Sequence, residues 1–229
     1  MSKFTRTMED CLDKMHDQRG VGKGTHGELA VFKLCEQLYQ QQGGLLYHSY
    51  EYKVDPDLAG NIKKHDGKLY LENLSSTTEI DILYVTPYRI FPIEVKAYST
   101  GRTSGKKRVV GEIVLTDDGI SGCFIDNKSP VHQNEMHCRH LYSHIFKCIP
   151  DGRTEYIQPI VVFVDECKLR DNRSDWQKKY IWAVTLDTLP KLLSKLNVPG
   201  SYRLDLNAVS RNLNEACVSK EKLLPLRIK

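Results

Sequence analysis

This 229-residue sequence has no apolar run long enough to cross a bilayer, and its first residues, Met-Ser-Lys-Phe-Thr-Arg-Thr-Met-Glu-Asp, lack the apolar core of a secretory leader. Internal repeats and low-complexity tracts are also missing, which excludes a solenoid or a fibrous array. Seven cysteines are an odd number scattered without a small-domain framework, so they are expected as reduced thiols in a cytoplasmic protein. No large excess of one charge exists either. Lys and Arg number 33 against 29 Asp and Glu, a net charge of +4, so any polyanion would have to be held by a local patch rather than by the whole surface.

What is present is ordinary for a globular chain, with 40% hydrophobic and 27% charged residues. The length suits one well-buried domain with appendages. A helix is expected over about 25–41, stopping at Gly43 and Gly44, then a strand over 45–54 and a short one over 68–72. Segments 109–115 and 120–125 read as a hairpin across Asp117-Asp118-Gly119. A second helix is expected over 130–148, with Pro130 in its first turn, then apolar strands over 157–164 and 180–184 and a helix over 186–196. That order favours an α/β fold, a mixed central β-sheet flanked by helices.

Two stretches carry the chemistry. Residues 79–85, Glu-Ile-Asp-Ile-Leu-Tyr-Val, and 90–96, Ile-Phe-Pro-Ile-Glu-Val-Lys, alternate apolar with charged side chains as half-buried strands do. Residues two apart on a strand share a face, so Glu94 and Lys96 project together. The short 86–89 connection, with Pro87 in it, suits a turn that brings Asp81 beside Glu94. Two carboxylates and an ammonium on one patch can hold a hard divalent cation and activate water against a phosphodiester. The same alternation also describes a solvated antiparallel sheet with ordinary cross-strand ion pairs.

Other segments complete a pattern. Residues 24–28, Gly-Thr-His-Gly-Glu, open the first helix with Glu28 near its start, where Thr25-x-x-Glu28 also fits a capping box. Gly22, Gly24 and Gly27 formally match G-x-G-x-x-G, but no buried strand precedes them, so glycines entering a helix are the simpler account. Residues 129–133, Ser-Pro-Val-His-Gln, open the second helix and place Gln133 on the face shared by His137, His140, His144 and Cys148. The ends of that row stand about 16 Å apart at 1.5 Å per residue, too far for one zinc ion, so a polar face turned to the site is the preferred reading.

Gly-x-x-Gly-Glu, then Glu-Ile-Asp, then Ile-Glu-Val-Lys, then Pro-x-x-Gln and a later His resemble, in that order, the nuclease-related domain (NERD) family of the PD-(D/E)XK nuclease superfamily. The resemblance runs from about Gly24 to about Leu193. It implies a restriction-endonuclease-like core, taken as residues 23–196; outside it the residues themselves read as a charged arm at 1–22 and a C-terminal helix and basic tail at 197–229. It further implies a metal-dependent deoxyribonuclease using Mg²⁺ or Mn²⁺, with Glu28, Asp81, Glu94, Lys96 and Gln133 in the active site. Asp81, Glu94 and the Val95 carbonyl would be the metal ligands, and the products would carry 5′-phosphate and 3′-hydroxyl ends. The basic segment 101–108 follows the Glu94 strand directly, and its Arg102, Lys106, Lys107 and Arg108 are placed to hold flanking phosphates if it is not simply a solvated loop. DNA is the expected partner, with RNA left open. The rival is a non-catalytic nucleic-acid-binding or interaction module that keeps the fold.

Overall fold

The computed structural model describes residues 23–54, 62–65, 68–71, 77–97, 102–104, 107–109, 111–121, 129–164, 167–200 and 202–218. The expected N-terminal arm and basic tail beyond residue 218 lie outside them.

In chain order the elements are helix α1 (Lys23–Gln42), strands β1 (Leu45–Lys53), β2 (Ile62–His65), β3 (Lys68–Leu71), β4 (Thr77–Val85), β5 (Ile90–Lys96), β6 (Arg102–Ser104), β7 (Lys107–Val109), β8 (Gly111–Thr116) and β9 (Gly119–Ser121). There follow α2 (Pro130–Ile145), β10 (Ile160–Phe163), β11 (Cys167–Asp171), α3 (Asp175–Tyr180), β12 (Trp182–Thr185), α4 (Leu189–Leu196) and α5 (Leu206–Ala216). The main sheet has five strands in the order β1-β4-β5-β10-β12. β1, β4 and β5 run antiparallel, while β10 and β12 join parallel to β5, so the sheet is mixed.

Helices cover both faces. On one, α2 and α5 bury Leu141, Ile145, Val209 and Leu213 against Tyr50, Tyr52, Leu83 and Ile90. On the other, α1 and α4 bury Val31, Cys35, Leu189 and Leu193 against Ile82, Tyr84, Phe91 and Ile93. β5 therefore sits at the centre of the sheet with both faces covered, which explains a nearly unbroken apolar strand. No helix among the described residues is long and apolar enough to cross a membrane.

Local chemistry fixes the joints. Gly43 and Gly44 end α1 with positive φ of 72° and 121°, and a Cβ on Gly44 would lie 2.1 Å from the Val85 carbonyl oxygen, so only glycine fits that corner. The β4–β5 turn is closed by the Thr86 amide donating to the Arg89 carbonyl at 2.8 Å. Its buried Thr86 Oγ1 accepts from the Tyr88 and Arg89 amides. Ser129 caps α2 by accepting from the His132 amide, with Pro130 in the first turn as expected.

Several local expectations change. α1 begins at Lys23, so Thr25 stands inside the helix and is not the N-cap of a capping box. β12 is a half-buried edge strand, not one covered on both faces, and Tyr180, expected to open it, ends the short helix α3. The 111–121 hairpin forms, and β8 also pairs in parallel with β11, a partner more than fifty residues on. Segment 101–108 is not a plain loop: β6 and β7 pair antiparallel, Thr103 opposite Arg108.

Candidate active site

The site grows from a defect shared by β1 and β4. Up to Tyr47 and down to Leu83 the odd-numbered residues face α2, whereas beyond Ser49 and Asp81 the even-numbered Tyr50, Tyr52 and Ile80 do. Both strands thus shift phase by one residue at the same level. Ser49 takes a positive φ of 50° there, an uncommon conformation for a non-glycine residue inside a strand. Asp81 drops out of both ladders: neither a Ser49–Asp81 nor an Asp81–Glu94 pair forms, although the register on either side would set these residues opposite one another.

The β4–β5 ladder stops at Ile82–Ile93. One residue on, the Val95 amide donates to Asp81 Oδ2 at 2.7 Å, so a side chain takes the place of the missing backbone partner. Val95 directs its backbone groups toward β4, because Ile90 and Lys96 direct their carbonyls to β10, accepting from Gln158 and Val164. Its carbonyl therefore opens on the same notch as the Asp81 carboxylate. Expected to share a patch with Glu94, Asp81 lies in the opening between two diverging strands.

Glu94 and Lys96 stand on the α2 side. The Lys96 ammonium donates to Glu94 Oε1 and, at 3.2 Å, to Gln133 Oε1 on α2. Glu94 is 1% exposed, and its second oxygen, Oε2, is buried with no hydrogen-bond donor among the described residues. His137 Nδ1, one helical turn beyond Gln133, is 3.4 Å from that oxygen without hydrogen-bond geometry. Burial holds the His137 imidazole down at about 4, so it is neutral near pH 7 and presents no cation to Glu94. The Tyr52 hydroxyl anchors this turn by donating to the His137 carbonyl at 2.8 Å, and the Asn134 amide donates to the carbonyls of Pro92 and Ile160.

Glu28 approaches from α1. It lies in the second turn, its carboxylate 3.6 Å from His48 Nε2 on β1, and the His48 ring meets Phe32 edge-on. Gly27 makes this approach possible: a Cβ there would sit 2.5 Å from Val164 Cγ2 and 3.5 Å from Val95 Cγ1. Glu28 is close enough for its charge to disfavour ionisation of both Asp81 and Glu94.

The electrostatic balance of the cluster is unfavourable to anions. Burial first, and the neighbouring Glu94 second, push the Asp81 carboxyl well above the usual range. Burial raises Glu94 too, against the opposing pull of Lys96. Among the described residues no three His, Cys, Asp or Glu side chains could enclose an ion by themselves. What is assembled is two carboxylates, one oxygen of which has no donor, beside a strand carbonyl. A hard cation that keeps several waters fits such a donor set.

The remaining expectations divide. Arg102 falls on β6 and Lys107 and Arg108 on β7, whereas Lys106 lies outside the described residues. His137 stands on the helix face that the sequence turns to the site, whereas His48 was not expected beside the carboxylates and nothing local marks it.

The sequence profile of the nuclease-related domain matches residues 23–164, more than half of the chain, and spans every element that builds this cluster. The chain belongs to the NERD family. Searches of the curated proteins and of the solved structures found no match. As a NERD protein its function is nuclease-related, and α4 and α5 pack onto the matched region from outside it.

Proposed function

We propose that this NERD protein is a metal-dependent nuclease that hydrolyses phosphodiester bonds in DNA, leaving 5′-phosphate and 3′-hydroxyl ends. The observation that supports the reading is the notch between β4 and β5, where Asp81 accepts from the Val95 amide, next to a buried Glu94 that pairs with Lys96 and has its Oε2 left without a donor. Asp81, Glu94 and Val95 would hold Mg²⁺ or Mn²⁺. Such a cation, when bound, neutralises charge building on the phosphate and acidifies water in its reach.

The chain's own groups do the rest. Lys96, which donates to Glu94 and Gln133, would use its remaining ammonium N–H to orient the attacking water and to steady the hydroxide that forms as the water's proton leaves to solvent. Gln133 accepts from Lys96 through Oε1, which leaves its amide N–H groups to donate to a phosphate oxygen. Glu28, whose carboxylate stands 3.6 Å from His48 Nε2, would add cation affinity from the rim. Residues Arg102, Lys106, Lys107 and Arg108 would hold phosphates on either side of the scissile one.

One observation favours the non-catalytic alternative: the Lys96 ammonium is already engaged by two partners. Incubation with supercoiled plasmid in Mg²⁺ or Mn²⁺ decides between them. Nicking or linearisation that disappears with EDTA and with Glu94→Gln is the expected result. Cleavage that survives either control removes this site, and no cleavage of any nucleic acid leaves the binding module.

A further inference from the structure

Trp176 and Tyr180 are the two most exposed large apolar side chains among the described residues, at 66% and 52%. They stand four apart on α3, with ring centroids 5.1 Å from one another. Scattered single apolar residues on a surface need no explanation, but a paired indole and phenol facing water do. Their helix is firmly held. Asp117 in the β8–β9 turn accepts from the Ser174 amide at 2.8 Å, its carbonyl accepts from Gln177 Nε2, and Ser174 caps the helix. Just before it the buried Arg173 is clamped by both oxygens of Asp171. The fold thus holds a rigid turn and directs its largest apolar groups outward.

The surroundings are basic. Of the five Lys and Arg in residues 167–180, Arg173 is buried against Asp171 and Arg170 pairs with Glu112, which leaves Lys168, Lys178 and Lys179 against Asp175 on this surface. Lys178 and Lys179 occupy the last turn of α3, and the Lys179 ammonium lies over the Tyr180 ring at 5.9 Å. Position adds the link to chemistry. Glu94 pairs with Val161, and Val161 with Ala183, so these three share a sheet face. On that face Ile181, the residue after α3, packs with Val161 and with Val131 of α2. The residue that follows α3 thus lies on the face of the sheet that carries Glu94, two strands away and at the N-terminal end of β12.

We propose that Trp176 and Tyr180, ringed by Lys178 and Lys179, are a stacking platform for the bases of an unpaired DNA strand. The inference rests on the nuclease reading above and names its substrate as single-stranded DNA. Aromatic side chains bind unpaired strands through the π-face that every base offers, while lysines track the phosphates. A blunt duplex hides those faces, so the platform discriminates by strandedness and not by sequence.

Binding of a fluorescein-labelled oligothymidylate to the full chain in EDTA, followed by anisotropy, tests this without cleavage. Trp176→Ala and Tyr180→Ala should each weaken single-strand affinity about tenfold or more, while Trp176→Phe restores most of it. Quenching of intrinsic fluorescence by unlabelled strand should vanish in Trp176→Phe. A blunt duplex should be insensitive to the Trp176 change. Unchanged single-strand affinity in Trp176→Ala, or an equal loss on strand and duplex, overturns the platform. Retained stacking in a protein that cleaves nothing overturns only the nuclease reading.

Discussion

Asp81→Asn separates a carboxylate kept for a cation from one kept for folding. In the parent protein the Asp81 carboxyl is raised by burial and by Glu94, with Glu28 adding to the repulsion. A group whose folded pKa lies above its unfolded value contributes stability that is fully present below the unfolded pKa, near 3.9, and is lost as pH rises through the folded one. Asparagine keeps an oxygen for the Val95 amide, now held at 2.7 Å, and has no charge to bury. Each unit of upward shift is about 1.4 kcal/mol against the ionised form, and conversion of a charged to a neutral hydrogen bond returns about 1 kcal/mol of it. With the carboxyl pushed up to about 8, the variant should therefore be several kcal/mol more stable than the parent in EDTA at pH 8, a difference that shrinks toward pH 5. Saturating Mn²⁺ should narrow the gap, since a cation at a hundred times its Kd stabilises the parent by about 2.7 kcal/mol and the variant by much less. Calorimetric scans at both pH values with EDTA and with Mn²⁺ measure all four quantities. A variant less stable than the parent in EDTA, or equal Mn²⁺ stabilisation of both, refutes the reasoning.

Two further outcomes follow from the same geometry. Gly27→Ala introduces a Cβ 2.5 Å from Val164 Cγ2, so that either the valine side chain or α1 has to shift; a loss of about 1–3 kcal/mol by chemical denaturation, with cleavage falling further than stability as Glu28 withdraws, is expected, and an unaltered cleavage rate would contradict it. Replacing Lys106, Lys107 and Arg108 together by Ala should flatten the log-log salt dependence of DNA affinity by roughly 2 to 3 units, leaving Mn²⁺ affinity intact; an unchanged slope in an anisotropy titration returns the segment to a solvated hairpin.

How far these features could be read from the sequence depends on the range of the interactions behind them. The alternation in 79–85 and 90–96, the turn at Thr86 and the Ser129–Pro130 start of α2 are local signals, and they located Asp81, Glu94, Lys96 and Gln133 on the elements that hold them. The notch itself was not readable, because the phase shift at Ser49 and Asp81 belongs to two strands at once and no short-range residue pattern marks it. α3 spans only six residues, too few for a helical period, although Ser174 ahead of it and the two lysines in its last turn were usable signals. The expected burial of β12 on both faces failed because an apolar run does not tell a central strand from an edge strand packed against Leu186 and Leu196. Parallel pairing of β8 with β11 is set by folding over a long intervening segment and left no trace in either.

The central claim is a division of labour in the notch: Asp81 and Glu94 hold the cation, and Lys96 handles the water. Isothermal titration of Mn²⁺ into Asp81→Asn, Glu94→Gln and Lys96→Ala, each followed by plasmid cleavage by the same sample, tests it most directly. The two carboxylate variants should lose affinity and cleavage together, while Lys96→Ala keeps or gains affinity as Glu94 Oε1 is freed and still fails to cleave. Equal Mn²⁺ affinity in all three, or cleavage by Lys96→Ala at the parent rate, would contradict the account.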